Sequence, residues 1–154
     1  MYSYKVPHRI TRRLFTLFFL CLSSLPLAAQ NDSFEAAENI PANIHNVTSG
    51  GYWSAGKDEG FFRAVVTAGG VEHVVHRLYI QWLKNNPKTQ DYELVRTVNV
   101  KELNLGHGHV MNVKTSFGDI NAFSIKVTAN SRGCEPKHFT IIAKGNGKYT
   151  FTNF

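Results

Sequence analysis

Apolar and polar residues alternate with a period of two along much of this chain, which is the pattern of β-strands with one buried face. The alternation is clearest in residues 111–117 and 123–129, where nearly every second residue is apolar. Other runs are rich in β-branched and aromatic residues. They predict further strands at Phe61–Ala68, Tyr92–Val100, His138–Lys144 and Lys148–Phe154.

Glycine pairs separate several of these runs and predict tight hairpins. Gly69-Gly70 lies between two β-rich runs, and Gly145-Asn146-Gly147 lies between two more. Such turns need residues that adopt positive φ, which glycine does without strain. Six to eight antiparallel strands in one chain of this length predict a mostly β fold, namely a single antiparallel β-sandwich or a small barrel.

The segment Val71–Leu83 has an ambiguous periodicity. Its large apolar residues follow helical spacing: Val71, Val74, Val75, Leu78, Tyr79, Trp82 and Leu83. The glycine pair just before it and its content of Val, Ile, Tyr and Trp suit a strand paired with Phe61–Ala68. We favour the strand, and a helix is the alternative.

The first 29 residues have the pattern of a cleaved signal peptide. A basic start is followed by the apolar run Leu14–Leu22 and by the small-residue site Leu27-Ala28-Ala29. The run is shorter than the roughly 20 apolar residues that a spanning helix needs, and no later stretch approaches that length. We therefore expect a bacterial, periplasmic or secreted protein whose mature chain starts near Gln30 and has no membrane span.

Residues 30–49 are polar, poor in large apolar side chains and interrupted by Pro41, which is typical of a flexible segment. The β pattern starts after Gly50-Gly51. The predicted organisation is a signal peptide at 1–29, a flexible N-terminal segment at 30–49 and a β-sandwich domain at 50–154.

Removal of the leader changes the charge balance of the chain. The full sequence has 17 Lys and Arg residues against 11 Asp and Glu, and four of the basic residues lie in the leader, which leaves 13 against 11. The remaining charges are scattered singly, whereas a nucleic-acid-binding protein is expected to carry a basic patch or stripe. The sequence therefore argues against nucleic acid as a partner.

Cysteine usage limits both stabilisation and catalysis. Cys21 lies in the leader, so only Cys134 remains in the mature chain and no intramolecular disulfide can form. Cys134 and His138 lie about 13 Å apart on an extended chain, at about 3.3 Å per residue. No nucleophile elbow, phosphate loop or Cys-x-x-Cys motif accompanies them. The question of an enzyme is therefore open, and the sequence leans against one.

Two histidines have a spacing that suits a metal ion. His107 and His109 flank Gly108, and on a strand this spacing places both imidazoles on one face, where they can chelate Cu or Zn. His73 and His76 are three positions apart, so both can join them only if their segment is helical. A tight loop between strands explains the same residues without a metal. No cofactor is expected by default, and Cu or Zn at His107 and His109 is the alternative.

Three aromatic side chains are candidates for ligand binding: Tyr52, Trp53 and Trp82. Aromatic residues near loops form stacking platforms for sugar rings and anchors for protein partners. Tyr52 and Trp53 point to opposite faces of an extended chain, so at most one of them is expected to be exposed. Trp82 lies on the apolar face in either secondary structure, and core packing explains it equally well.

These features favour a secreted or periplasmic β-sandwich that acts by binding a protein, a glycan or another component of the cell envelope. The first alternative is a periplasmic Cu- or Zn-binding protein that uses the His-x-His pair. The second is a small thiol-dependent enzyme centred on Cys134.

Overall fold

The computed structural model describes residues 37–106, 109–117, 120–130, 134–145 and 147–153. Pro41–Phe154 forms one compact unit. The predicted leader, residues 1–29, lies outside the described residues. Within the described ranges, no helix has both the length and the apolar character needed to cross a membrane.

Eight strands and one short helix follow one another in the described part of this unit. The N-terminal sheet consists of β1 (Ile44–Ala55), β2 (Asp58–Gly69), β3 (Val75–Asn86) and β4 (Asp91–Asn99). Helix α1 (Lys101–Gly106) follows. The C-terminal sheet consists of β5 (His109–Phe117), β6 (Ala122–Asn130), β7 (Lys137–Lys144) and β8 (Tyr149–Asn153).

Each sheet is an antiparallel meander in which consecutive strands are neighbours. β2 pairs with β3 across the Gly69-Gly70 turn, and β7 pairs with β8 across residues 145–147, so both predicted hairpins are confirmed. Buried side chains from the two sheets form a single hydrophobic core. The prediction of a mostly β fold with two antiparallel layers is therefore confirmed.

The ambiguous segment forms strand β3, as we favoured. The chain turns in residues 70–74, with Gly70 at a φ of +107°, and the strand begins at Val75. Its buried residues alternate along the strand: His76, Leu78, Ile80 and Trp82. Leu83 is also buried, although it follows Trp82 directly and therefore lies on the opposite face. Val71 and Val74 lie in the turn before the strand and are exposed, so the helical spacing of the apolar residues does not reflect one buried face.

Strand β1 begins at Ile44, inside the segment 30–49 that the sequence suggested to be flexible. Its first half is paired with β2, since Ile44 faces Thr67 and Val47 faces Val65. The polar composition of this segment fits a strand at the edge of a sheet, where most side chains stay in water. Backbone pairing with a distant partner holds it in place, and local composition carries no sign of such a pairing.

The core lies between the inner faces of the two sheets. Phe62 of β2 and Phe123 of β6 stack across it, with ring centroids 5.6 Å apart and an angle of 9° between the planes. Gly51, at a φ of +64° in a bulge of β1, makes this close approach feasible, because a Cβ there would lie 3.1 Å from atoms of both Phe residues. Burial of one such side chain contributes about 1.5–3 kcal/mol, so these contacts hold the sheets face to face.

Helix α1 connects the two sheets and is fixed to both. Leu103 is fully buried in the core. The Asn104 amide accepts a hydrogen bond from the Leu78 N–H (2.8 Å) and donates one to the Leu78 carbonyl (2.9 Å), as a neighbouring strand would. The Tyr149 hydroxyl of β8 donates to Glu102 Oε2 at 2.7 Å. Both sheets are therefore fixed relative to the helix.

Candidate functional site

A pocket of about 250 Å³ opens beside the turns β1–β2 and β7–β8. Eight residues line what we call the tryptophan pocket: Trp53, Ala55, Asp58, Trp82, Val95, Arg96, Gly145 and Gly147. Two of the three aromatic side chains predicted to bind a ligand are thus brought together, from strands β1 and β3. They are also the only tryptophans of the chain.

Both tryptophans are held rigidly. Trp53 and Trp82 are 3% and 2% exposed. The Trp53 indole N–H donates to the Phe61 carbonyl (3.2 Å), and the Trp82 indole N–H donates to the Lys144 carbonyl of the opposite sheet (2.9 Å). The pocket wall therefore does not need to reorganise when a ligand enters, and little conformational entropy is lost there.

The charges at the rim leave one cation without a counter-ion. Asp58 forms an ion pair with Lys84 at 2.6 Å. The hydrogen bond and charge of Asp58 raise the pKa of Lys84 above its ordinary value, so the Lys84 ammonium stays charged and offsets the charge of Asp58. Arg96 is exposed and has no ion pair within the described residues. The free charge of the pocket is therefore positive.

Arg96 is placed over the pocket by its neighbours. It faces Trp82 across the β3–β4 pair. Its side chain lies against Gly147, where a Cβ would be only 2.5 Å from Arg96 Nη1 and where φ is +78°. The glycine of the β7–β8 turn thus leaves the space that the guanidinium occupies. Sequence reasoning missed Arg96, because only the pairing of β3 with β4 places it beside Trp82.

Tyr52 lies outside this pocket. It is 47% exposed, whereas Trp53 next to it is buried, so the prediction that at most one of the two is exposed is confirmed. The Tyr52 hydroxyl donates a hydrogen bond to Glu59 Oε2, and this bond, with burial and the negative charge of Glu59, raises the pKa of Tyr52. Ligand binding by Tyr52 stays a prediction, on a different surface from the two tryptophans.

Three histidines from three strands form a second cluster, which we call the histidine cluster. The ring of His76 (β3) lies between those of His45 (β1) and His109 (β5), with centroid distances of 4.7 Å and 4.5 Å. His109 belongs to the predicted His-x-His pair, while His107 lies outside the described residues. His76 therefore contacts His109 from strand β3. A helix would have been needed only for His73 and His76 to lie beside His109 together.

His76 is the buried member of this cluster. It is 3% exposed, whereas His45 and His109 are exposed. Burial lowers the pKa of His76 below its ordinary value, and the charges of His109 and His45 lower it further. Its Nδ1 atom is buried and forms no hydrogen bond within the described structure. A neutral imidazole with an unused nitrogen therefore lies beneath two exposed rings.

His45 could not be recognised from sequence because it lies in the segment 30–49. In the structure it occupies a bulge of β1, between the paired residues Ile44 and Asn46. A bulge changes the direction of a side chain relative to regular alternation. This change brings the His45 ring into contact with His76, although β2 separates the two strands.

The buried position of His76 predicts that the metal-free protein loses stability as the pH falls. The folded-state pKa lies below the ordinary value of 6.5, so the unfolded chain binds the proton more readily. The free energy of unfolding is then highest above that value and decreases as the pH falls through it towards the folded-state pKa. Urea unfolding with a chelator, between about pH 8 and about pH 5, measures the effect.

Two variants identify the group responsible for this pH dependence. His76→Phe keeps an aromatic ring but cannot bind a proton, so it is expected to flatten the dependence. His138→Ala removes an exposed histidine of β7, whose Nδ1 lies 3.2 Å from Thr128 Oγ1, and is expected to leave the dependence as it is. A dependence that survives His76→Phe unchanged would contradict the assignment to His76.

Cys134 precedes β7 and is a free, exposed cysteine.

Comparison with protein-family models, with curated proteins and with solved structures finds no match to this chain. Arguments about function therefore rest on the chemistry of its own side chains.

Proposed function

We propose that this protein is a secreted or periplasmic binding protein whose tryptophan pocket takes a small carboxylate-bearing group of an envelope ligand. The free guanidinium of Arg96 above a preformed aromatic pocket carries the proposal. A concave, mostly apolar pocket with a few polar groups is the usual form of a small-molecule site. The leader pattern of residues 1–29 supports the exported location.

The size of the pocket limits the ligand. Sites for drug-sized ligands occupy about 300–1,000 Å³. The tryptophan pocket, at about 250 Å³, suits a single group the size of a sugar ring or an amino acid. Such a group can be the end of a longer envelope glycan or peptide whose remainder stays in solvent.

The charge at the rim selects the chemistry of the ligand. Asp58 is neutralised by Lys84, whereas Arg96 has no ion pair among the residues that the structure describes. A guanidinium presents N–H donors in a planar fork that matches a carboxylate in two parallel hydrogen bonds. An anionic carboxylate is therefore preferred over its neutral counterpart.

Tryptophan fluorescence tests the proposal directly, because both tryptophans of the chain line the pocket. The probes are hexuronic acids and N-acetylated acidic amino acids, with the neutral hexoses and the corresponding amides as controls. Saturable changes are expected with carboxylates. Saturation by the hexuronic acids would point to a glycan, and saturation by the acidic amino acids would point to a peptide.

Removing the guanidinium is expected to weaken binding by about tenfold or more, since hydrogen bonds to charged groups contribute about 1.5–3 kcal/mol. Arg96→Gln makes this change in the pocket. Arg77→Gln makes the same change at an exposed position of β3 outside the pocket. Equal affinities of the two variants, or an equal response to neutral and anionic probes, would contradict the proposal.

A further inference from the structure

The histidine cluster has the composition of a transition-metal site. His45, His76 and His109 come from three different strands and two sheets, and their rings lie side by side with His76 in the middle. Imidazole is the ligand type that suits Zn and Cu. Three imidazoles with an open fourth position are also a known arrangement for zinc.

The two ring spacings that involve His76 are close to the spacing that a shared metal ion would impose. A metal–nitrogen distance of about 2.0–2.1 Å, with the ring radius added, places the centroids of two tetrahedral imidazole ligands about 5 Å apart. The observed His45–His76 and His76–His109 distances of 4.7 Å and 4.5 Å differ from this by less than about 1 Å. His45 and His109 form no ring contact with each other within the described residues, so a shared ion requires these two exposed side chains to turn towards each other beside His76.

Two independent features support a ligand at the cluster. The buried Nδ1 of His76 has no hydrogen-bond partner within the described residues, and leaving such an atom unsatisfied is unfavourable. A cavity of about 100 Å³ lies beside the cluster, lined by His45, Asn46, Val66, Val110, Asn112 and Val113. His45 is the member of the cluster that lines it, and its volume leaves room for water next to this imidazole.

We propose that His45, His76 and His109 together bind one Cu²⁺ or Zn²⁺ ion, with water from the adjacent cavity at the remaining position. In the structure as it stands, no three His, Cys, Asp or Glu side chains of the described part are arranged to hold a metal ion. Binding therefore turns the two exposed rings towards a point that they share with the fixed ring of His76.

The protonation of the cluster favours this role. Metal ligation needs neutral imidazole. Burial and the neighbouring histidines lower the pKa of His76, which keeps the lone pair of one ring nitrogen available near neutral pH.

Copper titration of the chelator-treated protein, purified without a polyhistidine tag, tests the proposal. One Cu²⁺ per chain is expected, with an electron paramagnetic resonance spectrum that shows coupling to three imidazole nitrogens. His45→Ala and His109→Ala are each expected to leave two nitrogens and to weaken binding by at least about 100-fold, which exceeds the 10–100-fold cost of losing a residue that only hydrogen-bonds to a ligand. Zn²⁺ competition against Cu²⁺ should follow the same variants.

Matched variants make the result specific. His138→Ala removes an exposed histidine on β7, outside the cluster, and should leave copper binding unchanged. His76→Phe keeps an aromatic ring in the core but removes the central ligand, and it should abolish stoichiometric binding while circular dichroism shows a folded chain. Parent affinity in His45→Ala or His76→Phe would overturn the proposal. So would a site that requires His107 and His109 but neither of the other two.

The metal proposal is independent of the tryptophan pocket. His76 and Trp82 lie on the same strand, six residues apart, which corresponds to about 20 Å at about 3.3 Å per residue. Failure of carboxylate binding would leave the metal result unaffected, and the reverse also holds.

Discussion

Replacing Gly60 with alanine is expected to destabilise the protein by about 3 kcal/mol or more, because the added methyl group has no room. Gly60 lies in β2, where it faces Trp53 of β1 and Lys84 of β3. A Cβ at this position would lie 1.8 Å from the carbonyl oxygen of Leu83 and 3.0 Å from the Cα of Lys84. Both are backbone atoms of the adjacent strand, so relief requires β2 and β3 to separate locally.

Gly69→Ala provides the matched control for this change. Gly69 also lies in β2 and pairs with β3, but no atom lies within 4 Å of the Cβ that it would gain. A surface substitution of this kind is expected to change the free energy of unfolding by no more than about 0.5 kcal/mol. Urea unfolding compares the two variants with the parent chain. Equal stabilities would show that the strands do not approach as closely at Gly60 as the structure indicates.

Local pattern was sufficient to predict most of the strands. Residues 123–129 alternate because β6 buries every second side chain, and the glycine pairs mark hairpins because their backbone geometry is local. The start of β1 was not predictable in the same way. Residues 44–49 are polar and gain their strand conformation from pairing with residues about 20 positions later, such as Val47 with Val65. Composition carries no information about that partner.

The candidate sites depend on contacts that a single sequence does not display. Trp53 and Trp82 were singled out for their side chains, but their meeting point is set by the register of three strands. Arg96 and His45 were missed because both lie at register shifts or next to them: His45 in a bulge of β1, and Arg96 after the shift opposite Trp82 and Leu83. A register shift redirects side chains relative to regular alternation, so period-two reasoning does not place these two residues.

The same argument explains the histidines. Strand geometry keeps His73 and His76 from sharing a face, which weakened the case for a metal site in the sequence. In the structure, the ring that lies beside His76 is that of His45, which comes from strand β1 and is 31 positions away in the sequence. The spacing of histidines along one strand therefore could not reveal a cluster whose members come from strands of two sheets.

Replacing Trp82 with alanine is expected to lower the free energy of unfolding by about 3–5 kcal/mol, a large part of the 5–15 kcal/mol that is typical of such domains. Trp82 packs edge-on against Phe62, with ring centroids 5.7 Å apart. Its indole N–H also donates a hydrogen bond to the Lys144 carbonyl of the opposite sheet. The substitution removes both the buried ring and this bond between the sheets. Trp53 remains as the fluorescent reporter of unfolding.

Two further substitutions separate the contributions of Trp82. Trp82→Phe keeps most of the ring but removes the N–H, and a typical hydrogen bond contributes about 0.5–1.5 kcal/mol, so its loss should be well below that of the alanine variant. Tyr52→Ala removes an aromatic ring that is 47% exposed, and it is expected to cost less than about 1.5 kcal/mol. Chemical unfolding monitored by circular dichroism measures all three. A Trp82→Ala protein no less stable than Tyr52→Ala would mean that Trp82 does not join the two sheets, and the tryptophan pocket would lose its rigid wall.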